Sequence, residues 1–171
     1  MASILKYNKA QHTNGTDALT IDSSGRILTP NRPAFGVSTS TTQSISNSWS
    51  KVTWNTVDWN VGNHWSTTNN NWTAPIDGIY HFNCLVRVTA SSGTMEIIQL
   101  ALGVNGANRT RDFLQLQTAN NQLQNSHVGG AMDYKLDAGD TIQLNIIGSG
   151  TSPTVGSSSR VYNWFCGHLI G

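Results

Sequence analysis

Two short pairs of histidine and cysteine are the residues most suited to metal chemistry. His81 and Cys84 lie in the sequence HFNC, and Cys166 and His168 lie in CGH. Four such ligands in two pairs are a donor set that zinc favours. On a β-strand, however, residues three apart face opposite sides, so His81 and Cys84 cannot converge without a bulge. We therefore predict no metal site and no cofactor, and expect both cysteines to be buried, reduced groups.

The carboxylates are not arranged as catalytic groups. Asp137 and Asp140 lie in LDAGD, shortly after Asp133, and small residues between two acids are typical of a hairpin turn. The sequence contains neither a GxSxG nucleophile motif nor a GxxxxGK phosphate-binding loop. We predict that the chain is not an enzyme.

Tryptophan is concentrated in one region, because five of the six tryptophans lie between Trp49 and Trp72. Exposed tryptophans beside asparagine and aspartate often bind sugars, so Trp59 and Trp65 are candidate glycan contacts. The alternative is that Trp54 and Trp72 pack in a core or over a turn, while the others line a subunit interface, where tryptophan is enriched. The spacing of about five residues alternates strand faces, so the five rings cannot form one platform.

Composition excludes several classes of partner. Only 11% of the 171 residues are charged and the net charge is +1, so the chain carries no basic field for nucleic acid. It has no apolar stretch long enough to span a membrane and no signal-peptide core at its N-terminus. We expect synthesis in a cytoplasm and no contact with a membrane.

From about Pro33 onward the sequence predicts a succession of about eight short strands, without a helical period. In the clearest strand, alternate residues from Tyr80 to Val88 are apolar, and the intervening residues from Ile79 to Arg87 are mixed. This pattern predicts an all-β, antiparallel sandwich or barrel. Because several strands carry apolar residues on both faces, we expect the second face to be buried against identical subunits.

Three local features are also predicted. Residues 50–60, SKVTWNTVDWN, alternate as one strand, and residues 148–159, rich in glycine and serine, read as an exposed loop. Asp77 and Gly78 form a turn signal in which the glycine has a positive φ angle. This turn fixes the register of the strand that follows.

Residues 1–32 form a separate N-terminal arm, and residues 33–171 form the main domain. The arm contains the short alternations ALTI and RILT, joined by DSSG, which predict a small hairpin or two extended segments. So small a unit cannot bury a core, so its apolar side chains must pack on another surface. The candidates for this anchoring role are Ile4, Leu5, Tyr7, Leu19, Ile21, Ile27 and Leu28.

The main domain resembles the globular head of complement C1q, a jelly roll related to that of tumour necrosis factor. The resemblance rests on four segments in the family's order: RPAFGVS at 32–38, WTAPIDGIYHF at 72–82, LDAGDTIQLNI at 136–146 and the C-terminal SRVYNWFCGHLIG. GVNG at 103–106 also fits. The resemblance implies an antiparallel jelly-roll β-sandwich that is homotrimeric, with an extended N-terminal arm. It implies core or trimer-axis packing for Tyr80, Phe82, Trp164 and Phe165.

The arm resembles the start of many bacteriophage tail-fibre and virion proteins, which often place such a segment before a C1q-like head. This resemblance implies a structural protein of the virion: a trimeric capsid decoration, short fibre or fibre-tip adaptor that acts by assembly. Its partners would be itself and other capsid or tail proteins. The alternative is a receptor-binding module that holds host surface glycan through the tryptophan-rich loops.

Overall fold

The computed structural model describes residues 7–90, 95–117 and 125–171. The chain divides into two compact units, Met1–Arg32 and Pro33–Gly171. Two residues of the predicted anchoring set, Ile4 and Leu5, lie outside the described residues.

The first unit is a small antiparallel sheet of β1 (Lys9–Gln11), β2 (Asp17–Ile21) and β3 (Ile27–Leu28). The pairing of β2 with β3 confirms the hairpin predicted from ALTI and RILT. Its turn is closed by Asp22 Oδ1, which accepts hydrogen bonds from the backbone nitrogens of Ser24 and Arg26 at 2.9 and 3.0 Å. These bonds and the Arg26 guanidinium hold the pKa of Asp22 below its usual value.

The second unit is a two-layer β-sandwich. Its strands are β4 (Ala34–Ser38), β5 (Thr42–Ser44), β6 (Ser50–Lys51), β7 (Thr56–Val61), β8 (Trp65–Ser66), β9 (Asn71–Thr73), β10 (Gly78–Thr89), β11 (Met95–Val104), β12 (Arg111–Gln117), β13 (Asn125–Leu136), β14 (Thr141–Gly150), β15 (Thr154–Gly156) and β16 (Trp164–Leu169). One sheet runs β13-β10-β16-β4-β7, with β15 and β5 continuing from β10. The other runs β12-β11-β14-β9-β8, with β6 beside β14. The predicted all-β antiparallel sandwich is confirmed.

An aromatic cluster joins the two sheets. Phe35 of β4 belongs to the first sheet, whereas Trp65 of β8 and Trp72 of β9 belong to the second. The Phe35 ring stacks on both indoles, with centroid distances of 5.3 and 5.4 Å, and meets Phe165 edge-on at 5.1 Å. Trp54 and Trp72 are buried, which confirms the core alternative for these two residues.

The predicted alternation of β10 is confirmed. The side chains of Tyr80, Phe82, Cys84, Val86 and Val88 are buried, and those between them are exposed or half-buried. β10 pairs with β13 along its whole length, from Gly78 to Thr89. Strand β10 therefore presents one face to the core and the other face to the outside of the sandwich.

The prediction of a single strand over residues 50–60 is wrong. β6 pairs with β14 in one sheet and β7 pairs with β4 in the other, so the chain crosses between the sheets after Lys51. Side-chain oxygens replace ladder partners in the crossing: Gln43 Oε1 accepts from the Thr53 nitrogen at 3.0 Å, and Asn70 Oδ1 accepts from the Trp54 nitrogen at 2.7 Å. The predicted alternation of buried and exposed side chains is nevertheless kept in the crossing, since Trp54 is buried in the core.

Two further local predictions are wrong. Residues 148–159 are not all an exposed loop, because β15 lies there and its Val155 is buried against β10. Gly78 does not have a positive φ angle. It packs closely instead, since a Cβ atom there would lie 2.5 Å from Cδ1 of Leu169, whose side chain would have to shift. The turn is instead fixed by Asp77 Oδ1, which accepts from the Ala138 nitrogen at 2.7 Å.

The two cysteines lie on opposite faces of one sheet and are both free. Cys84 is buried in the core as predicted, and burial raises the pKa of its thiol to about 12. Cys166 is only half-buried, with its thiol beside Oδ1 of Asn83, and burial raises its pKa to about 11. Both thiols are therefore protonated at neutral pH and are poor nucleophiles.

Replacing Phe35 with alanine should lower the free energy of unfolding by about 3–5 kcal/mol, because it removes the ring that joins the sheets and leaves a cavity. Denaturant unfolding followed by far-ultraviolet circular dichroism measures this loss. Val161→Ala is the control, since Val161 is 72% exposed and its truncation should change stability by less than about 0.5 kcal/mol. Equal losses in the two variants would contradict the role assigned to Phe35.

Neither thiol should react with a thiol reagent at neutral pH in the folded protein, and both should react after unfolding. An unfolded thiol loses its proton near its ordinary pKa of 9.0, whereas the folded thiols keep theirs up to about pH 11 or 12. Stability is therefore lost as the pH rises from 9.0 through this window. Cys84→Ala and Cys166→Ala assign the labelled site, and stoichiometric labelling of native protein would overturn the prediction.

Candidate functional site

The side of the sheet β13-β10-β16-β4-β7 that points away from the core is the candidate interaction surface. We call it the outer face. Its rows follow from the antiparallel register, in which facing residues share one side of the sheet. Across β16, β10 and β13 these rows are His168, His81 and Asp133; Cys166, Asn83 and Ala131; and Trp164, Leu85 and Gly129.

Polar groups on the outer face are paired with one another. Nδ1 of His81 and Oδ1 of Asp133 lie 2.7 Å apart, and the rings of His81 and His168 have centroids 5.5 Å apart. In the next row the Cys166 thiol meets the Asn83 amide. The face therefore combines satisfied polar pairs with apolar side chains, unlike either a core or a freely solvated surface.

One end of the outer face is apolar. Ile79 is 48% exposed and Ile170 is 45% exposed, and the backbone nitrogen of Ile170 donates to the carbonyl of Ile79 at 2.8 Å. Ile76 nearby in sequence is also exposed. We call Ile79 and Ile170 the isoleucine patch. Neighbouring exposed apolar side chains of this kind are candidates for a protein–protein contact.

The histidine and cysteine pairs do not converge. Cys84 faces the core, whereas His81, Cys166 and His168 lie on the outer face. Among the described residues, no group of three or more histidine, cysteine, aspartate or glutamate side chains is placed to hold a metal ion. His81 instead takes Asp133 as its partner.

The acidic segment LDAGD forms a turn, as predicted. Asp140 Oδ1 accepts from Asn105 Nδ2 at 2.7 Å, and Asp140 Oδ2 accepts from the Asp137 nitrogen at 3.0 Å. These two hydrogen bonds hold the pKa of Asp140 below its ordinary value. The carboxylate is thus committed to closing the turn beside GVNG.

The prediction that Trp65 contacts a glycan is wrong. Its side chain is only 6% exposed, and its ring stacks on Phe35 inside the sandwich. Asn60 Oδ1 accepts hydrogen bonds from the backbone nitrogens of His64 and Trp65, at 2.9 and 3.0 Å, in the turn that leads into β8. Trp59, by contrast, is 51% exposed on β7.

A cavity of about 630 Å³ lies beside Trp59 at the β7 edge of the outer face. The Trp59 indole covers Gly36, where a Cβ atom would lie 2.3 Å from its Cζ2. The other lining residues include Ser38, Ser40, Asp58, Ser158, Ser159, Arg160, Val161 and Trp164. Sequence reasoning missed this set, because the segment around Arg160 reaches Asp58 only through folding, with Nη1 and Oδ1 3.4 Å apart.

The remaining predicted residues fall into two groups. Tyr80, Phe82 and Phe165 are fully buried and contribute to the core, whereas Trp164 is half-buried on the outer face. In the arm, Tyr7, Ile27 and Leu28 are exposed and Leu19 and Ile21 are half-buried.

No helix among the described residues has the length and apolar character needed to cross a membrane.

Solved structures share this fold. The globular domain of the zebrafish complement 1qA protein has a TM-score of 0.57 and 20% identity, covering 82% of this chain and 98% of that one. The Eiger tumour necrosis factor from S. frugiperda has a TM-score of 0.59 and 15% identity, and the match covers 82% of this chain and 94% of that one. Murine APRIL has a TM-score of 0.57 and 14% identity, and the match covers 81% of this chain and 99% of that one. At identities this low, the structural matches establish a common jelly-roll fold and no more.

The sequence itself identifies the family. No curated protein matches the chain. Residues 34–170, however, match the C1q domain, and this span includes the strands of both sheets and the outer face. The resemblance seen in the four segments of the main domain is thereby confirmed. The chain belongs to the C1q domain family.

Proposed function

We propose that this chain is a homotrimeric structural protein of a bacteriophage virion, whose C1q domain assembles through its outer face. The observation that carries the assembly is the isoleucine patch, in which two isoleucines remain almost half-exposed on one sheet face. Covering these side chains with identical subunits removes apolar surface from water, worth about 25 cal/mol for each Å². Closed rotational symmetry lets every copy use the same surface.

The polar rows support the same assignment. A buried polar group without a partner destabilises an interface, whereas one that is already hydrogen-bonded is covered at a lower cost. His81 has Asp133 before any second subunit arrives. The part of the outer face next to the isoleucine patch can therefore be covered without leaving this pair unpartnered.

The proposal of a role in a virion is supported by the N-terminal arm, whose sequence resembles the start of phage tail-fibre and virion proteins. Tyr7, Ile27 and Leu28 supply exposed apolar side chains suited to a contact with capsid or tail proteins. In this role the chain is a capsid decoration, short fibre or fibre-tip adaptor, and it acts by assembly rather than catalysis.

A second function, binding of host surface glycan, is favoured by one observation. Trp59 keeps half of its side chain exposed beside a cavity that also contains a carboxylate and a guanidinium. Because Trp65 is buried, Trp59 alone remains from the original pair of glycan candidates.

Ile79→Lys should convert a trimer into smaller species, because it places a charge in the isoleucine patch. We expect the wild-type chain to sediment near three times its mass of 18.5 kDa. Gln115→Lys is the matched control, since it adds the same charge at an exposed position of β12 on the other sheet. A monomeric wild type, or a trimer of Ile79→Lys as stable as the control, would reject assembly through this face.

Deleting residues 1–30 should leave a trimer that no longer joins phage particles, because the arm carries the contact with other virion proteins. Particles from infected cells that express the shortened chain would be purified and probed for it. Full-length protein supplied in the same way is the control. Incorporation of the shortened chain at the level of the full-length protein would contradict the anchoring role of the arm.

A further inference from the structure

We infer that the cavity beside Trp59 is a binding site for a neutral pyranose ring of a host surface glycan. The inference rests on the glycan-binding function proposed above and gives it a site and a ligand class. It does not depend on trimer assembly.

Trp59 is an exposed aromatic platform that rests on Gly36. A Cβ atom at that position would come within 2.5 Å of three indole carbons, so a larger residue there would have to displace the ring. Half of the side chain nevertheless remains open to solvent. The face of an indole is electronegative, and the C–H groups on one side of a pyranose are weakly electropositive, so the two surfaces attract.

Polar groups surround the platform. Arg160 Nη1 and Asp58 Oδ1 are 3.4 Å apart, and both side chains are partly exposed at the cavity. A guanidinium donates hydrogen bonds and a carboxylate accepts them, so the pair can engage two neighbouring hydroxyl groups of one sugar. Because the two charges offset each other, the site favours a neutral ring over an anionic one.

Ser38 supplies an independent observation. It lines the cavity, is 3% exposed, and its hydroxyl has no hydrogen-bond partner among the described residues. A buried hydroxyl without a partner is unfavourable by about 1–3 kcal/mol, so a ligand or a water molecule that approached it would be stabilised. Ser40, Ser158 and Ser159 add further hydroxyl-bearing side chains to the lining.

The size and position of the cavity also fit a sugar-binding site. A volume of about 630 Å³ falls within the range of small-ligand sites, roughly 300–1,000 Å³. Val161 and Trp164 provide apolar walls. The cavity is lined by residues of β7, β4 and β16, and its residue Trp164 pairs with Leu85 of β10, six residues along that strand from Ile79. A sugar can therefore bind there while the isoleucine patch is covered.

The test is binding of the full-length protein to an array of neutral and acidic oligosaccharides, with affinity for the best neutral ligand then measured by calorimetry. Trp59→Ala should lower that affinity at least about tenfold, and Trp59→Phe should retain most of it because the platform remains. Asp58→Asn, which keeps the shape but removes the carboxylate, should also weaken binding. Val57→Ala is the matched control, because Val57 is exposed on the same strand and does not line the cavity.

The native mass of each protein separates the two proposals. A trimer that binds no neutral sugar, or whose binding is unaffected by Trp59→Ala and Asp58→Asn, overturns the sugar site and leaves the assembly intact. A monomer that binds sugar through Trp59 supports the site and rejects the assembly. Loss of the trimer in Trp59→Ala would show that a second copy fills the cavity and would overturn the sugar site.

Discussion

The stacking of Phe35 between the two sheets is the contact on which the rest of the domain depends. Phe35 stands on β4, and its ring reaches Trp65 and Trp72 on the opposite sheet and Phe165 on β16. Gly36, the next residue, points to the other side and lies beneath Trp59. Strand β4 therefore holds the core on one face and the exposed indole on the other, so the position of the cavity follows from the packing of the core.

Sequence patterns predicted those elements that are marked by the order of neighbouring residue types. The alternation from Tyr80 to Val88, the LDAGD turn and the arm hairpin each carry a signal in consecutive residues, and all were predictable. The short strand β15 was missed because Val155 is a single apolar residue among glycine, serine and threonine. Its strand pairing comes from Val88 and Gln43, far away in the sequence.

The tryptophans show why the candidate site was predicted only in part. Residue type and spacing are alike for Trp54, Trp59, Trp65 and Trp72, but only Trp59 is exposed. The difference arises where the chain crosses from one sheet to the other between β6 and β7. After that crossing, Trp59 lies outside the sandwich, and the turn held by Asn60 directs Trp65 back into the core. The Asp58–Arg160 pair spans 102 positions and has no local signal in the sequence.

The first and last strands of the domain are neighbours. β4 pairs with β16, and the Leu169 nitrogen donates to the Pro33 carbonyl at 3.0 Å. A domain whose ends meet can be joined to a carrier at either terminus, and the carrier arrives at the same corner. The same geometry permits circular permutation, because a short linker closes the gap between the natural ends. The jelly roll is thus a transplantable unit whose carriers can change without disturbing its hydrogen-bonded ladders.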